Sequence, residues 1–412
     1  MQKLDSNPLA PQPALRIHEP AIRLGIAAIE TLKPTLQLSN DWFGDRFPRK
    51  FEKHTGIQQR GVFHDDEVTV SQRIVQSLLE RTESHWSDCA GLVLACPALV
   101  PAATAHRYWN HDIVKNEQPN RLAQRLWNIL NEANESNQIH PASSPRRVET
   151  GTQESTRPYI GINGFCSGYA QAMQIVLEQL RERKPLAAGQ YYLVVTATCI
   201  SRINDFSNPQ SGGLFGDFAT ATMLRRMDCD RLSSKFELCD ASYQRKEANR
   251  AFFDFEKIDT GLAPTPEGNS ESIRERVVFK LDGMGIADTA PRAMADAAED
   301  ICQKNHMEPA NVDWVVPHQA GTGIVRLTGM KLEQCGFSVE PINGLTANCG
   351  NVSSGSVPMA LADHWDRLHG HIVCPVAAVG APGKAEVSQG CILLRGTQLS
   401  KSLPIPSTRA AG

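Results

Sequence analysis

Short apolar runs alternate with longer amphipathic stretches along the chain, and this alternation predicts the main elements. Four runs rich in Val, Leu and Ile predict buried strands, at residues 90–96, 191–197, 312–316 and 372–379. Four stretches with helical spacing predict helices, at residues 70–81, 168–183, 293–305 and 322–335. Alternating strands and helices are typical of an α/β fold with largely parallel sheets.

Two polar segments break this pattern and are predicted to be irregular. Residues 131–156 are polar and contain prolines, which indicates an exposed loop or insertion. Residues 225–274 are mixed and charged, and we expect them to join two halves of the chain.

Two glycine-containing strings are similar to each other and predict a duplicated architecture. GINGFCSGYAQAM in the first half resembles LTANCGNVSSGSVPMAL in the second, with Cys166 and Asn351 at corresponding positions, and a glycine-rich turn and an apolar run follow each. The predicted organisation is a lead-in at 1–22, a first half at 23–225, a connecting segment at 226–275, a second half at 276–398 and a tail at 399–412.

Composition narrows the class of protein. A chain of 412 residues is too long to fold around one simple core. A content of 41% hydrophobic and 21% charged residues is ordinary for a globular protein. A formal net charge of −3 gives no electrostatic reason to expect nucleic acid or a membrane surface as a partner. No apolar run is long enough to span a membrane, and the N-terminus lacks a signal-peptide pattern. The eleven cysteines are scattered without a CxxC pair, so we expect reduced thiols and a cytoplasmic location.

Cys166 is the first candidate for chemistry. It lies between Gly164 and Gly168, directly before a predicted helix. Unpaired backbone N–H groups and the helix dipole at such a position favour the thiolate, which is the nucleophilic form. The alternative is a small buried cysteine with a structural role.

His318 and Asn351 are further candidates in similar settings. His318 directly follows a predicted strand, and Asn351 lies in a glycine- and serine-rich stretch before a predicted turn. Each alone fits a structural histidine or a turn asparagine. Together with Cys166, each at the mouth of a strand–loop–helix unit, they predict one active site.

The strings around these residues carry a family resemblance from about residue 23 to residue 395. The matching strings are HTGIQQR, FCSGYAQAM, GGLFGDFATATML, VFK, DWVVPHQA, GNVSSGSVP and QGCILLR. In this order they resemble the thiolase-fold condensing enzymes, above all β-ketoacyl-acyl carrier protein synthase III. The resemblance implies two duplicated βαβαβαββ halves in a five-layered αβαβα arrangement.

The resemblance also implies roles for the three candidates. Cys166 would be the acylated nucleophile, with backbone N–H groups of Cys166 and of Gly380 or Gly383 holding the oxyanion. A malonyl-type thioester would bind with its carbonyl oxygen near His318 Nε2 and Asn351 Nδ2, lose carbon dioxide and attack the acyl group. Acyl-coenzyme A or acyl carrier protein thioesters would be the substrates, with no metal or redox cofactor, and the protein would be a homodimer.

Four residues are weaker candidates for substrate binding. Phe165 and Tyr169 flank the cysteine and would line an acyl pocket or belong to the core. Leu99 and Val100 lie where the resemblance places an acyl-pocket and dimer-contact loop.

Some positions depart from the family pattern. Lys50 and His54 stand where an aromatic and an arginine clamp coenzyme A in the family, so priming from free acetyl-coenzyme A is not expected. Arg326 is a candidate to replace a missing carrier-binding arginine, and Asp217 is expected to be structural. These departures favour a specialised enzyme of secondary metabolism.

Three functions therefore stay open. Decarboxylative Claisen condensation is the leading hypothesis. Acyl transfer to an alcohol or amine is the second, although such transfer favours an acidic partner for His318. An inactive thiolase-fold subunit that supports an active partner is the third.

Overall fold

The computed structural model describes residues 23–48, 50–96, 119–137, 158–180, 186–227 and 234–396. The strands are Leu24–Leu32 (β1), Leu36–Ser39 (β2), Gln59–Val62 (β3), Cys89–Ala95 (β4), Tyr159–Ile162 (β5), Tyr191–Thr198 (β6), Phe218–Arg226 (β7), Phe236–Glu247 (β8), Phe253–Pro264 (β9), Ser270–Leu281 (β10), Trp314–Val315 (β11), His371–Val379 (β12) and Glu386–Gly396 (β13). The helices are Phe51–Thr55 (α1), Glu67–Arg81 (α2), Pro119–Asn137 (α3), Gly168–Ile175 (α4), Pro209–Gly212 (α5), Gly283–Lys304 (α6), Thr322–Gln334 (α7) and Ser356–Asp363 (α8). All four predicted strands and all four predicted helices are present, with shifted ends.

The sheet topology confirms the predicted duplication. Nine strands form one mixed sheet in the order β11-β12-β13-β8-β1-β7-β6-β4-β5. In the first half, β4 pairs in parallel with β5 and β6, and antiparallel pairs join β6 to β7 and β7 to β1. The second half repeats this order, with β11 parallel to β12 and antiparallel pairs joining β12 to β13 and β13 to β8. A parallel bridge from Val315 to Pro341 stands where β5 stands in the first half.

Side chains alternate between two packed faces along the central strands, which gives five layers. Leu92 and Leu94 of β4 pack outward against α2 and α3, whereas Val93 packs inward against α4. In the second half, Cys374 packs inward against α4 and α8, and Val373 packs outward against α6 and α7. The expected αβαβα arrangement is therefore present. Its layers are, in order, α2 with α3, the strands of the first half, α4 with α8, the strands of the second half, and α6 with α7.

The prediction that residues 225–274 are irregular was wrong. They contain β8, which belongs to the large sheet, and most of a long hairpin in which β9 pairs with β10 from Phe253–Leu281 to Pro264–Ser270. One face of β9 is mostly solvent-exposed, so charged residues interrupt its apolar positions and no apolar run marks the strand. Strand β10 runs through residue 275, where the connecting segment is predicted to end, and the boundaries of that segment stay a prediction.

The prediction of a loop at 131–156 was wrong for its first residues, which are helical. Helix α3 continues to Asn137, since no proline or glycine interrupts it before Pro141. Residues 138–156 lie outside the described residues. Within the described part of the chain, no helix is both long and apolar enough to cross a membrane.

Candidate active site

Cys166 lies on a tight turn between strand β5 and helix α4. The turn is a 3-10 helix over Phe165–Ser167, and Phe165 adopts a φ of 43°, which is uncommon for a residue with a side chain. A Cβ on Gly164 would come within 2.6 Å of the Gly168 Cα, so the turn requires glycine there. Cys166 as a whole residue is half-buried at the start of the helix, although its thiol is enclosed by protein.

Burial of the Cys166 thiol opposes the thiolate form that the sequence predicted. Burial raises its pKa to about 11, and the nearby polar side chains of Ser353 and Asn351 only partly offset this. At neutral pH the thiolate is therefore a minor form. The prediction of a thiolate was wrong because it considered the stabilising effect of the helix start but not the removal of water from around the sulfur, which raises the pKa.

Asn351 is held in place where the two halves of the molecule meet. Its N–H donates to the Leu214 carbonyl at 2.9 Å, and its carbonyl accepts from Gly216 N–H at 3.1 Å. A Cβ on Gly216 would come within 1.9 Å of the Cys349 carbonyl oxygen, so only glycine permits this approach. The Asn351 Oδ1 accepts from Ser353 N–H at 2.9 Å, which leaves Nδ2 to face the Cys166 sulfur.

His318 lies just beyond the end of β11 and is almost completely buried. Its backbone N–H donates to the Pro375 carbonyl at 2.9 Å, and its Nδ1 lies 2.6 Å from Ser356 Oγ. Burial lowers the pKa of the imidazole to about 3, so the ring is neutral at physiological pH. No hydrogen bond or ion pair described for the ring joins it to a carboxylate.

One short segment, residues 351–356, connects the three candidates. Asn351 and Ser353 at its start lie near the Cys166 sulfur, and Ser356 at its end contacts His318. The structure therefore places all three candidates around the same segment.

The turn at Cys166 has a counterpart in the second half. Ser353 has a φ of 50° and begins a 3-10 turn, Ser353–Gly355, that leads into α8, as Phe165 does before α4. This pairs Cys166 with Ser354. The sequence comparison had paired Cys166 with Asn351, and the structure corrects it.

The two glycines proposed for the oxyanion hole are already engaged. Gly380 N–H donates to the Glu386 carbonyl at 3.0 Å, and Gly383 N–H donates to the Phe253 carbonyl at 2.8 Å. Neither is free to bind a substrate oxygen in this state, so the assignment of Gly380 or Gly383 is not supported. The role of the Cys166 backbone N–H stays a prediction.

The flanking candidates lie in different surroundings. The Phe165 ring packs edge-on against Phe253 at 5.0 Å between centroids. Tyr169 is fully buried in the central layer with its hydroxyl 3.1 Å from Thr222 Oγ1, which favours a packing role. Arg326 is exposed on α7.

Of three other sequence-predicted residues, only Asp217 lies within the described part of the chain. Leu99 and Val100 lie outside the described residues. Asp217 is fully buried and accepts hydrogen bonds from Ser201 N–H, Ser201 Oγ–H and Phe63 N–H, as expected for a structural residue.

Sequence reasoning missed the serines that support the site. Ser388 of β13 lies 2.6 Å from the Ser167 hydroxyl and so ties the Cys166 turn to the second half. Ser353 and Ser356 were within the quoted string GNVSSGSVP, but nothing in the string alone distinguishes a serine that supports another side chain.

Two family models match the chain at the site. The model described as 3-oxoacyl-[acyl-carrier-protein] synthase III matches residues 160–238, which include Cys166. The model described as the C-terminal part of the same synthase matches residues 302–381, which include His318 and Asn351. The chain is a thiolase-fold protein that resembles synthase III.

Relatives and solved structures agree with this likeness. The β-ketoacyl-[acyl-carrier-protein] synthase III of Chlorobaculum tepidum is 29% identical over 180 residues, covering 43% of this chain and 52% of that protein. The chain thus spans about half the length of the curated relatives it matches. The crystal structure of the synthase III of Aquifex aeolicus matches 90% of this chain and 99% of its own at 17% identity, with a TM-score of 0.59. The tetronic acid condensing enzyme AbyA1 matches 90% of this chain and 100% of its own at 15% identity, with a TM-score of 0.62.

Proposed function

We propose that this protein is an acyltransferase that joins a Cys166-bound acyl group to a malonyl- or β-ketoacyl-type thioester by decarboxylative Claisen condensation. The observation that carries the proposal is the pairing of a nucleophile candidate with two neutral side chains, His318 and Asn351. Neutral donors can stabilise an enolate without protonating its carbon, which condensation requires.

The first step is thioester exchange at Cys166. The sulfur attacks the acyl carbonyl, the bond to the carrier thiol breaks, and the thiol proton ends on the departing carrier thiol. The products are acyl-Cys166 and a free carrier thiol. Because no net charge is produced, a resting thiol with a raised pKa is compatible with this exchange.

The second step forms the carbon–carbon bond. The malonyl thioester loses carbon dioxide, and the electron pair of the broken bond forms an enolate whose oxygen accepts hydrogen bonds from His318 and Asn351. The enolate carbon attacks the acyl-Cys166 carbonyl, and the carbon–sulfur bond breaks to return Cys166 as a thiolate, which is then reprotonated. Each neutral donor in such a site is typically worth about 10²–10³ in rate.

The surroundings of His318 favour condensation over transfer to an alcohol or amine. Transfer of that kind requires a general base, and a base is most effective when its pKa lies near the working pH. The His318 pKa is lowered to about 3, and its described ring partner is a serine hydroxyl, which carries no charge. No resident metal or redox cofactor is part of the proposed chemistry.

The substrates and assembly are part of the same proposal. We propose coenzyme A or carrier protein thioesters as acyl donors, a homodimer as the assembly, and a specialised biosynthetic role. Likeness to AbyA1 and to the priming β-ketosynthase of the R1128 polyketide pathway, with TM-scores of 0.62 and 0.59, supports the specialised role. A cytoplasmic location stays a prediction.

A panel of acyl thioesters, offered with and without malonyl thioester, tests the proposal. We expect intact-protein mass spectrometry to find one acyl adduct, which Cys166→Ala abolishes, and product analysis to find a β-ketoacyl thioester. An adduct that discharges only to an alcohol or amine would favour simple transfer. The absence of any adduct across the panel would favour an inactive partner subunit, and an adduct that persists in Cys166→Ala would remove the mechanism.

A further inference from the structure

Ser356 makes two contacts that together fix the direction of its hydroxyl hydrogen. The backbone N–H of Gln319 points at Ser356 Oγ at 3.3 Å, and an N–H can only donate. The other contact is His318 Nδ1, at 2.6 Å from the same oxygen. The hydroxyl oxygen therefore accepts from Gln319, which leaves its own hydrogen available to donate to Nδ1.

The alternative arrangement leaves a buried hydrogen without an acceptor. If Nδ1 carried a proton, Ser356 Oγ would accept from both Nδ1 and Gln319. Its own hydrogen would then need a third partner, and none is recorded for it among the hydrogen bonds of the described residues. Ser356 is fully buried and His318 is 2% exposed, so water cannot reach the hydroxyl hydrogen, and leaving it without an acceptor would be unfavourable.

We propose that Ser356 is a positioning residue that holds neutral His318 in the tautomer with its hydrogen on Nε2. Ser356 donates to Nδ1, and the ring then presents an N–H from its opposite side. The catalytic meaning of this arrangement rests on the proposed function, in which Nε2–H donates to the thioester oxygen as it becomes an enolate.

The wrong tautomer would oppose the proposed reaction. With the hydrogen on Nδ1, a lone pair on Nε2 would face the developing negative oxygen. His318, which is one of the two proposed donors beside Asn351, would then repel that oxygen. Acylation of Cys166 does not require this donor. Loss of Ser356 should therefore slow decarboxylation and condensation far more than acylation.

The matched pair of variants is Ser356→Ala and Ser354→Ala. Ser354 is buried in the same segment, at 1% exposure, and its hydroxyl makes no recorded hydrogen bond. Each variant removes one buried hydroxyl beside the same helix start. Only Ser356→Ala removes the contact to His318.

The tautomer is measured on resting protein by NMR with ¹⁵N-labelled histidine. Two-bond hydrogen–nitrogen correlations distinguish Nε2–H from Nδ1–H, and the spectrum of His318→Ala identifies the His318 signals among the twelve histidines. We expect Nε2–H in the wild type and in Ser354→Ala, and a mixed or Nδ1–H state in Ser356→Ala. An Nδ1–H signal in the wild type would overturn the proposal even if Ser356→Ala did not fold.

Kinetics separate a positioning role from a merely structural one. We expect Ser356→Ala to lower malonyl thioester decarboxylation by about 10²–10³-fold. We expect acylation of Cys166 to change by less than about tenfold, with little further loss when His318→Ala is added, because the two residues act as a unit. An unchanged tautomer with decarboxylation at the wild-type rate would refute the inference. If Cys166 is never acylated, the proposed function fails, but the tautomer measurement still decides the role of Ser356.

Discussion

The protonation of the resting Cys166 thiol gives a prediction that separates this structure from the usual expectation for a helix-start cysteine. A thiol with a pKa of about 11 is roughly 10⁻⁴ ionised at pH 7, because the pH lies four units below the pKa. A thiol at the unperturbed value of 9.0 is about 10⁻² ionised at the same pH. Burial therefore lowers the thiolate fraction of Cys166 about 100-fold.

Reactivity should fall by less than ionisation does. A more basic thiolate is a better nucleophile, and a Brønsted coefficient of about 0.4–0.5 recovers roughly a factor of ten over two pKa units. We therefore expect free Cys166 to react with iodoacetamide about tenfold more slowly at pH 7 than a small reference thiol.

The assay follows carbamidomethylation of the Cys166 peptide by mass spectrometry between pH 6 and pH 10, with Cys166→Ala as the control for peptide assignment. Between pH 7 and pH 10 the rate should rise about tenfold per pH unit without a plateau, since each unit raises the thiolate fraction tenfold. A plateau that begins below pH 8 would refute the reasoning, because it would show a thiolate that the helix start already stabilises.

Two further predictions concern stability. At pH 4, Asp217→Asn should lower the urea-derived free energy of unfolding by about 1–3 kcal/mol, because a carboxamide cannot accept all three hydrogen bonds that Ser201 and Phe63 donate. Burial raises the pKa of Asp217 in the folded protein to about 7, so the stability that this residue contributes is present below about pH 4 and is lost as pH rises through 7. The difference in the free energy of unfolding between the wild type and Asp217→Asn should therefore narrow from pH 4 to pH 7. A difference that widens over this pH range would contradict this account. Gly323→Ala should lower the free energy of unfolding by about 1–3 kcal/mol, since its Cβ would lie 2.6 Å from the His54 carbonyl oxygen. Gly283→Ala, where a Cβ would meet nothing within 4 Å, is the matched control, and equal thermal shifts in both variants would contradict the steric reasoning.

The sequence predicted those parts of the molecule whose signals are local. The strands at 191–197 and 372–379 were found because both faces are buried, so nearly every residue is apolar. Cys166, His318 and Asn351 were named as candidates because each lies in a distinctive string next to a strand or helix end, and their roles stay a prediction.

What the sequence did not predict depends on contacts between distant residues. The hairpin of β9 and β10 was missed because its exposed face carries the charges that elsewhere mark loops. Ser388 and Ser356 were missed because their partners, Ser167 and His318, are far away along the chain. The ionisation of Cys166 depends on how much protein surrounds the sulfur, which no motif describes.

A single-turnover measurement tests the central claim most directly. Acyl-Cys166 is prepared and freed of donor, malonyl thioester is added, and carbon dioxide, the acyl adduct and the ketone product are followed together. The account predicts one carbon dioxide and one β-ketoacyl thioester for each adduct consumed, with turnover slowed about 10²–10³-fold in His318→Ala and in Asn351→Ala although both still form the adduct. Consumption of the adduct without carbon dioxide release, or turnover at the wild-type rate in both variants, would contradict it.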